Sequence, residues 1–314
     1  MAILVTGATG NVGRNVVRQL VGSGAEVRAL TRSPHTAGFP EAVRVVAGDL
    51  LQPESLADAL KGVDRMYLFP VAETAREVVA LARQAGVRRI VVLSSGAVTT
   101  GFDNDFHVPV ERAVEESGLE WTHVRPGEFA LNKLALWGPS IRAEGVVRDP
   151  NPEVAWYPVH EQDIADVATL ALLEDGHCGR AYTLNGPEML SHRRQVELIA
   201  EAIGRPIRCE VVSREEAREN YRRQGGFAAA NADFLLGFED YSGGQTDLQA
   251  LQESDPAKEF DPTKESDPTT EFDPTAEFDP TAAGPMPTAE EATGAPARTF
   301  AQWAHDHARE FLPD

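Results

Sequence analysis

The stretch Gly7-Ala8-Thr9-Gly10-Asn11-Val12-Gly13 decides the fold, because it joins an apolar run to an amphipathic segment near the start of the chain. The run Ala2–Thr6 is predicted to be a strand, and Asn11–Val21 a helix with its apolar residues on one face. In this Gly-x-x-Gly-x-x-Gly spacing, the first glycine allows a sharp turn and the second lets the backbone approach a ligand. The third lets the helix pack on the strand. Because backbone N–H groups at a helix start bind anions, the stretch predicts a site for a dinucleotide pyrophosphate.

The next hundred or so residues repeat this alternation of short apolar runs with helical patterns. Strands are predicted at Glu26–Thr31, Val43–Ala47, Arg65–Phe69, Arg89–Leu93 and Trp121–Val124, and helices at Pro53–Leu60, Thr74–Gln84 and Val110–Glu116. Apolar strands that alternate with helices indicate a parallel sheet covered on both faces. We therefore predict an α/β fold: a doubly wound parallel Rossmann-type sheet with a smaller C-terminal α/β lobe on the substrate side.

The regular alternation loosens after Gly127, where a second part of the chain is predicted. It contains helices at Asp163–Leu173 and from Ser191 to Ile203, and strands at Ala181–Leu184 and Ile207–Val212. We predict four parts: a nucleotide-binding domain over 1–126, a substrate-side lobe over 127–252, an acidic insertion over 253–297 and a C-terminal helix over 298–314. The lobe is predicted to mix helices and strands. Whether the chain re-enters the main domain within this range stays open.

Five copies of a six-residue repeat, each containing Asp-Pro, cover Glu253–Ala282. Proline at every sixth position prevents a continuous helix or a central strand. Two interpretations stay open. The repeat is either a flexible acidic loop inserted before the C-terminal helix, or a lid or docking segment for a protein partner.

Composition and charge exclude several classes of function. The 314 residues carry a formal net charge of −20, and no part of the chain forms a basic footprint, so no direct nucleic-acid partner is expected. The sequence contains no run of about 18 apolar residues, so no membrane span is predicted. The N-terminus lacks a leader pattern, so we expect a cytoplasmic protein. Cys178 and Cys209 form no metal or redox motif, and no metal site is predicted.

The end of the second predicted strand indicates which dinucleotide binds. An NAD site usually has Asp or Glu there to bind the ribose 2′-hydroxyl, but this strand ends Leu30-Thr31-Arg32-Ser33. Arg32 can pair with a 2′-phosphate, so we expect NADPH in preference to NADH; the alternative is that Arg32 is a solvated loop residue. Asp49, after the third strand, is placed to accept a hydrogen bond from the adenine amine. A turn or capping role for Asp49 is the alternative.

Several longer motifs resemble the NmrA-like group of atypical short-chain dehydrogenases/reductases. They are VTGATGNVG, AGDL, VLSSGA, the pattern His107-x-x-x-Glu111, SGLEWTHVRPGEF with Asn132 beyond it, and YPVHEQDIADVA. The likeness covers residues 1–240 and resumes at about 298–311, whereas the acidic repeat lies outside it. It implies a Rossmann-type domain, a small C-terminal lobe and a cofactor cleft between them.

The resemblance also implies roles for individual residues. The pyrophosphate would be bound by Gly7, Thr9, Gly10, Asn11, Val12 and Gly13, the 2′-phosphate by Arg32, and the adenine by Asp49 and Leu50. The nicotinamide would lie near Phe69, Pro70 and Ser94. Members of the group include quinone or dye reductases, ketone- or enone-reducing biosynthetic enzymes, and regulators that bind the dinucleotide without turnover. Fold alone does not choose among them.

The Tyr-x-x-x-Lys pair that usually protonates the substrate is absent, because none of the five tyrosines has a lysine four residues later. His107 is the predicted substitute, since an imidazole titrates near neutral pH, and Ser94 is a second candidate. Glu111 would orient the imidazolium if both residues lay on one helical face. Pro109 favours a helix that begins at or just before it, which would place His107 at the cap. A surface His–Glu pair without catalytic function is the alternative.

Loss of the tyrosine is easiest to tolerate when the acceptor is already electrophilic. We therefore expect a small aromatic or conjugated carbonyl substrate: a quinone-like compound, an enone or a ketone. Contacts with it are predicted from Phe129, Asn132 and Tyr157, with Leu134, Trp137 and Trp156 as further apolar candidates. Core packing is the alternative for each aromatic residue. Three functions stay open: an NADPH-dependent reductase, an NAD(P)H-sensing regulator with little turnover, and a natural-product tailoring enzyme with non-redox or internal-redox chemistry.

Overall fold

A sheet of seven parallel strands organises the molecule, whose computed structural model describes residues 1–239 and 286–313. The strands are β1 (Ala2–Val5), β2 (Glu26–Thr31), β3 (Val43–Ala47), β4 (Val63–Leu68), β5 (Arg89–Leu93), β6 (Glu120–Pro126) and β9 (Arg180–Leu184). Their order is β3-β2-β1-β4-β5-β6-β9. The strand order reverses between β1 and β4, and such a reversal opens a crevice at the carboxyl ends of these two strands. The predicted α/β fold with a doubly wound parallel sheet is confirmed.

Helices cover both faces of this sheet because each presents one apolar stripe to it. On one face lie α1 (Asn11–Gly22) and α7 (Glu161–Leu173), and on the other lie α2 (Ala57–Leu60), α3 (Ala75–Gln84) and α5 (His107–Glu115). The short helix α4 (Gly96–Thr100) connects β5 to α5. Since α5 returns from the carboxyl ends of the strands to the start of β6, its first residue lies at the same edge as the crevice.

A smaller lobe is built from the chain between β6 and β9 and from the chain after β9. It contains α6 (Asn132–Glu144), β7 (Val146–Asp149), β8 (Ala155–Trp156), β10 (Leu190–Ser191), α8 (His192–Ile203), β11 (Arg208–Val211), α9 (Arg214–Gln224), α10 (Gly226–Ala230) and α11 (Ala232–Leu235). Strand β11 pairs in parallel with β7, and β10 pairs antiparallel with β8. Helix α7 and strand β9, which lie within the predicted 127–252 lobe, belong instead to the main sheet.

The C-terminal segment contains α12 (Glu290–Thr293), which packs beside α7 in the main domain. It then completes the lobe with α13 (Phe300–Asp306) and a 3₁₀ turn at Ala308–Phe311. Thr299 caps α13 in a capping box with Gln302, and the side chains of Phe300, Trp303 and Phe311 lie in the apolar core of the lobe. These three aromatic residues are fully buried. The last helix is therefore part of the lobe core.

The acidic repeat Glu253–Ala282, with its predicted lid or docking role, lies outside the described residues. Among the residues that the structure describes, no helix combines the length and the apolar character needed to cross a bilayer.

Candidate cofactor and active site

The glycine stretch forms the predicted turn between β1 and α1. Gly7 has a φ of +56°, a conformation that side-chain-bearing residues rarely adopt, and its carbonyl accepts a hydrogen bond of 3.0 Å from the Gly10 N–H. A Cβ on Gly13 would lie only 2.2 Å from the Gly7 carbonyl oxygen. The third glycine is thus needed for close packing of the helix on the turn, as the spacing predicts.

The first turn of α1 is suited to an anion. Its N-cap is Gly10, no side chain caps its amides, and no acidic residue lies in its first turn. Uncapped N–H groups and the positive end of the helix dipole then point at the crevice. These features fit a pyrophosphate held by backbone atoms of the loop. The Val12 side chain is buried in the core, so this residue can contribute only backbone atoms.

Thr6 and Phe69 join the ends of β1 and β4 at the point where the strand order reverses. The Thr6 hydroxyl donates to the Tyr67 carbonyl at 3.0 Å and accepts from the Phe69 N–H at 2.8 Å. The Phe69 ring lies so close to Gly7 that a Cβ there would be 3.0 Å from it. Phe69 and the buried Pro70 therefore border the phosphate loop, on the side where the resemblance expects the nicotinamide.

Two arginines lie on the side of the loop away from Phe69, one directly after β2 and one near the start of α1. Arg32 is exposed directly after β2, and within residues 1–239 and 286–313 it makes no hydrogen bond or ion pair. Arg14, in the first turns of α1, donates to the Thr9 carbonyl at 3.3 Å and stacks 5.4 Å above the Phe39 ring. Arg32 is thus a cation that the described residues leave uncommitted.

Asp49 and Leu50 follow β3 at the same edge. One Asp49 carboxylate oxygen accepts from the Leu51 N–H at 3.0 Å, and the Asp49 N–H donates to the Ser55 hydroxyl at 2.9 Å. The Leu50 side chain is buried. The turn role that the sequence left open for Asp49 is therefore present, while its contact with adenine stays a prediction.

Ser94 ends β5 beside the crevice and is almost completely buried. Its N–H donates to the Val124 carbonyl at 2.7 Å, which fixes its position against β6. The Ser94 hydroxyl meets no partner of hydrogen-bond geometry in the described residues, but it lies close enough to help lower the pKa of Glu111. The Ser94 hydroxyl is therefore a buried polar group beside Glu111 at this edge of the sheet.

The predicted pairing of His107 with Glu111 is wrong. His107 is the first residue of α5, where its side chain turns back toward the preceding loop, and its Nδ1 lies 2.5 Å from the Asp103 carboxylate. Glu111 instead accepts two hydrogen bonds from Arg125, at 2.8 and 2.6 Å. Burial alone would raise the pKa of Glu111, but the Arg125 guanidinium holds that pKa below its ordinary value.

Asp103 is the functional candidate that sequence reasoning missed. Its side chain is fully buried and also accepts from the backbone N–H groups of Phe106 and His107, at 3.3 and 3.0 Å. Burial opposes its ionisation, but the hydrogen bond from His107 and the backbone bonds keep the pKa of Asp103 below its ordinary value. The usual capping signal did not identify it, because an N-cap residue stands directly before the helix, whereas Asp103 lies four residues ahead of His107.

A second polar cluster lies between α5 and β6. Ligand atoms of Glu111, Glu115 and His123 lie within 4.8 Å of one another, and His123 Nε2 is 3.1 Å from Glu115 Oε1. Burial lowers the pKa of His123, so this ring is neutral near pH 7. Because Glu111 is already paired with the Arg125 guanidinium, its carboxylate is committed to that residue and we assign the cluster no metal.

The predicted substrate residues lie in the segments that follow β6 and β8. Phe129 forms a β-bridge with Val159, two residues after Tyr157, and Asn132 begins α6. All three side chains are partly exposed. Of the other apolar candidates, Trp137 packs in the lobe core and Trp156 is half exposed. The packing alternative therefore applies to Trp137.

Lys133 also lies in this region, but it is committed to neighbours. Its ammonium is 2.5 Å from Glu128 and 4.6 Å above the Trp137 ring, and its side chain is buried. Two of the described tyrosines do not replace the missing catalytic one either. Tyr67 and Tyr221 are buried in the core, and burial raises the pKa of both hydroxyls far above neutrality.

Comparison with known proteins adds independent findings. Residues 7–175 match the model of a family described as NAD(P)H-binding. The chain is 35% identical to the (4-alkanoyl-5-oxo-2,5-dihydrofuran-3-yl)methyl phosphate reductase of Streptomyces griseus, over 99% of this chain and 100% of that protein. It is 32% identical to the NAD(P)H azoreductase of Xenophilus azovorans, over 98% and 99% of the two chains.

A solved structure has the same fold. The NADPH-dependent quinone oxidoreductase of Escherichia coli, complexed with NADPH, superposes with a TM-score of 0.70 over 97% of this chain and 99% of that one. The two sequences are 22% identical, so this likeness concerns the fold alone.

Proposed function

The chain belongs to the NAD(P)H-binding family of NmrA-like atypical short-chain dehydrogenases/reductases, and we propose that it is an NADPH-dependent reductase of a small conjugated carbonyl compound. One observation carries the proposal: an uncapped, glycine-lined helix start lies at the strand reversal with an uncommitted arginine on one side and Ser94 and His107 near the other. This arrangement can hold a phosphorylated dinucleotide and present its reactive end to the lobe.

Arg32 supports NADPH as the cofactor. It lies where an NAD-specific site usually has a carboxylate, and no ion pair of the described residues occupies it. A guanidinium can bind a 2′-phosphate through two parallel hydrogen bonds, whereas it gains little from a 2′-hydroxyl. We therefore expect NADPH to bind more tightly than NADH.

The substrate class is suggested by the relative from S. griseus. The compound in its name has a ring double bond conjugated with both the ring carbonyl and the alkanoyl carbonyl. Such a bond accepts a hydride at its β-carbon, and the electrons move into the carbonyl, so the site needs only a weak proton donor. An acceptor of this kind is compatible with a site that lacks the Tyr-x-x-x-Lys pair.

The chain's own residues divide the remaining tasks. When bound, NADPH supplies the hydride. The α1 amides and Arg32 hold its phosphates, while Phe69 and Ser94 border the position of the nicotinamide. Phe129, Asn132 and Tyr157 contact the acceptor from the lobe side, and His107 donates the proton that completes the reduction.

The proposal is tested by following NADPH oxidation with a panel of acceptors. The panel contains menadione, an azo dye, a simple ketone and the 4-alkanoyl dihydrofuranone phosphate of the relative. We expect turnover with the conjugated acceptors and little with the simple ketone. Tight binding of NADP⁺ without turnover of any acceptor would support the regulatory alternative instead.

A further inference from the structure

The Asp103–His107 pair has the geometry of a proton-handling dyad. The Asp103 carboxylate is completely buried, and its Oδ2 is 2.5 Å from Nδ1 of His107. Because an ionised carboxylate can only accept, the proton between them belongs to Nδ1. In a neutral imidazole this assignment leaves Nε2 without a proton, so Nε2 is the atom that can take one up and give it away.

The position of the pair connects it with the proposed site. His107 is the first residue of α5 and therefore lies at the carboxyl edge of the sheet, as do Gly7 and Ser94. Its side chain is 12% exposed, and in the part of the chain that the structure describes its Nε2 makes no hydrogen bond. The Phe106 ring stands edge-on to the imidazole at 4.6 Å and limits its rotation.

Several other charges on α3, α5 and β6 are already paired. Glu111 on the same helix and Arg125 on β6 bind each other, and His123 on β6 binds Glu115. On α3, Arg76 pairs with Glu116 at the far end of α5. Among the described residues, Asp103 is thus the carboxylate that acts directly on His107.

We propose that Asp103 is the positioning residue of the reductase, which holds His107 in the Nδ1-protonated tautomer with Nε2 directed into the cleft. The inference rests on the proposed function, since it assigns the source of its proton. During turnover, the hydride forms the new C–H bond and reduces the acceptor, while the dinucleotide is oxidised. The proton on Nε2 of the imidazolium passes to the acceptor, and the neutral ring regains a proton from solvent.

Asp103 also caps α5, so the test must separate position from folding. Asp103→Asn keeps an oxygen that can accept from the Phe106 and His107 N–H groups, but it presents an NH₂ group to Nδ1. The ring is then expected to carry its neutral-state proton on Nε2 instead, which is the wrong tautomer for the proposed role. His107→Gln removes the titrating ring altogether.

The first readout is independent of turnover. In wild-type protein labelled with ¹⁵N-histidine, NMR at alkaline pH is expected to show His107 protonated on Nδ1, and in Asp103→Asn on Nε2. Asp149→Asn is the matched control, because Asp149 pairs with His192 at 2.8 Å in the small lobe. That variant should change the His192 signals and leave those of His107 as they are. A wild-type His107 protonated on Nε2 would overturn the proposal even if no variant folds.

The second readout is kinetic. With a conjugated acceptor, Asp103→Asn and His107→Gln are each expected to lower kcat by about 10²-fold or more, while the KM for NADPH stays near its wild-type value. Wild-type kcat in either variant would refute the positioning role. If the wild-type protein reduces no acceptor at all, the proposed function and the proton-delivery role fail, whereas the NMR result still decides the tautomer.

Discussion

Replacing Gly13 with alanine tests the phosphate loop at its tightest point. The added Cβ would lie 2.2 Å from the Gly7 carbonyl oxygen and 2.8 Å from its carbon, whereas ordinary contact begins at 3.4 Å. Helix α1 would have to retreat by about 1 Å, because both colliding groups are backbone. Overpacking of this kind costs roughly 1–3 kcal/mol of stability. The N–H groups in the first turn of α1 would also be displaced, and their charge-assisted hydrogen bonds to the cofactor pyrophosphate depend on their alignment.

The expected loss of affinity follows from those hydrogen bonds. Each bond to a charged group contributes about 1.5–3 kcal/mol, so losing two of them weakens binding by at least about 3 kcal/mol, or roughly 100-fold in Kd. Gly22→Ala, at the other end of α1, is the matched control, since its Cβ would meet nothing within 4 Å. Titration calorimetry with NADPH should show weak binding only for Gly13→Ala. Wild-type affinity in that folded variant would refute the assigned role of the loop.

Three further predictions concern other parts of the account. Arg32→Ala should weaken NADPH binding by about 10- to 100-fold and leave NADH binding unchanged in calorimetry; an unchanged ratio of the two affinities would remove Arg32 from the site. Burial opposes the charged form of His307, but its bond to Glu161 raises the pKa of His307. The stabilisation from the charged His307 is therefore complete at pH values below 6.5, the ordinary pKa of histidine, and is lost as the pH rises through the raised pKa. His307→Gln should accordingly lower the Tm more at pH 6 than at pH 9. A Tm difference that does not depend on pH would contradict this. Arg125→Met should destabilise the protein by about 3–5 kcal/mol in urea unfolding, because it leaves the Glu111 carboxylate buried and unpaired. Adding Glu111→Leu to the same chain should restore much of the lost stability. No recovery in the double variant would argue against the importance of this ion pair.

The main sheet could be predicted from the sequence because its strands are short, apolar and separated by helical patterns. The strands Glu26–Thr31, Val43–Ala47 and Arg89–Leu93 have the predicted bounds. Helix α6 was not predicted, because Pro139 lies inside it and its apolar residues form no narrow stripe. Long-range packing of Trp137 and Ile141 against Phe300 and its neighbours stabilises this helix, and a local pattern does not contain that information.

The active-site pairing shows a second limit of local reasoning. His107 and Glu111 both lie in α5, but the His107 side chain turns back to the preceding loop and pairs with Asp103, so four-residue spacing alone did not identify its partner. Asp103 could bind it because a buried acceptor at that point satisfies both the ring and the free amides of the helix start. The Arg125 partner of Glu111 comes from the neighbouring strand and lies 14 residues away in sequence. The NmrA-like resemblance is confirmed, whereas the roles of the individual site residues stay predictions.

We propose that the glycine loop holds NADPH so that its hydride reaches a conjugated acceptor at the lobe. The most direct measurement is a single-turnover reaction with NADPH that carries deuterium at the transferring C4 position, with the 4-alkanoyl dihydrofuranone phosphate as acceptor and mass spectrometry of the product. We predict that the reduced ring carries one deuterium at the carbon β to its carbonyls. NADPH that stays unoxidised, or a product without deuterium, would contradict the account.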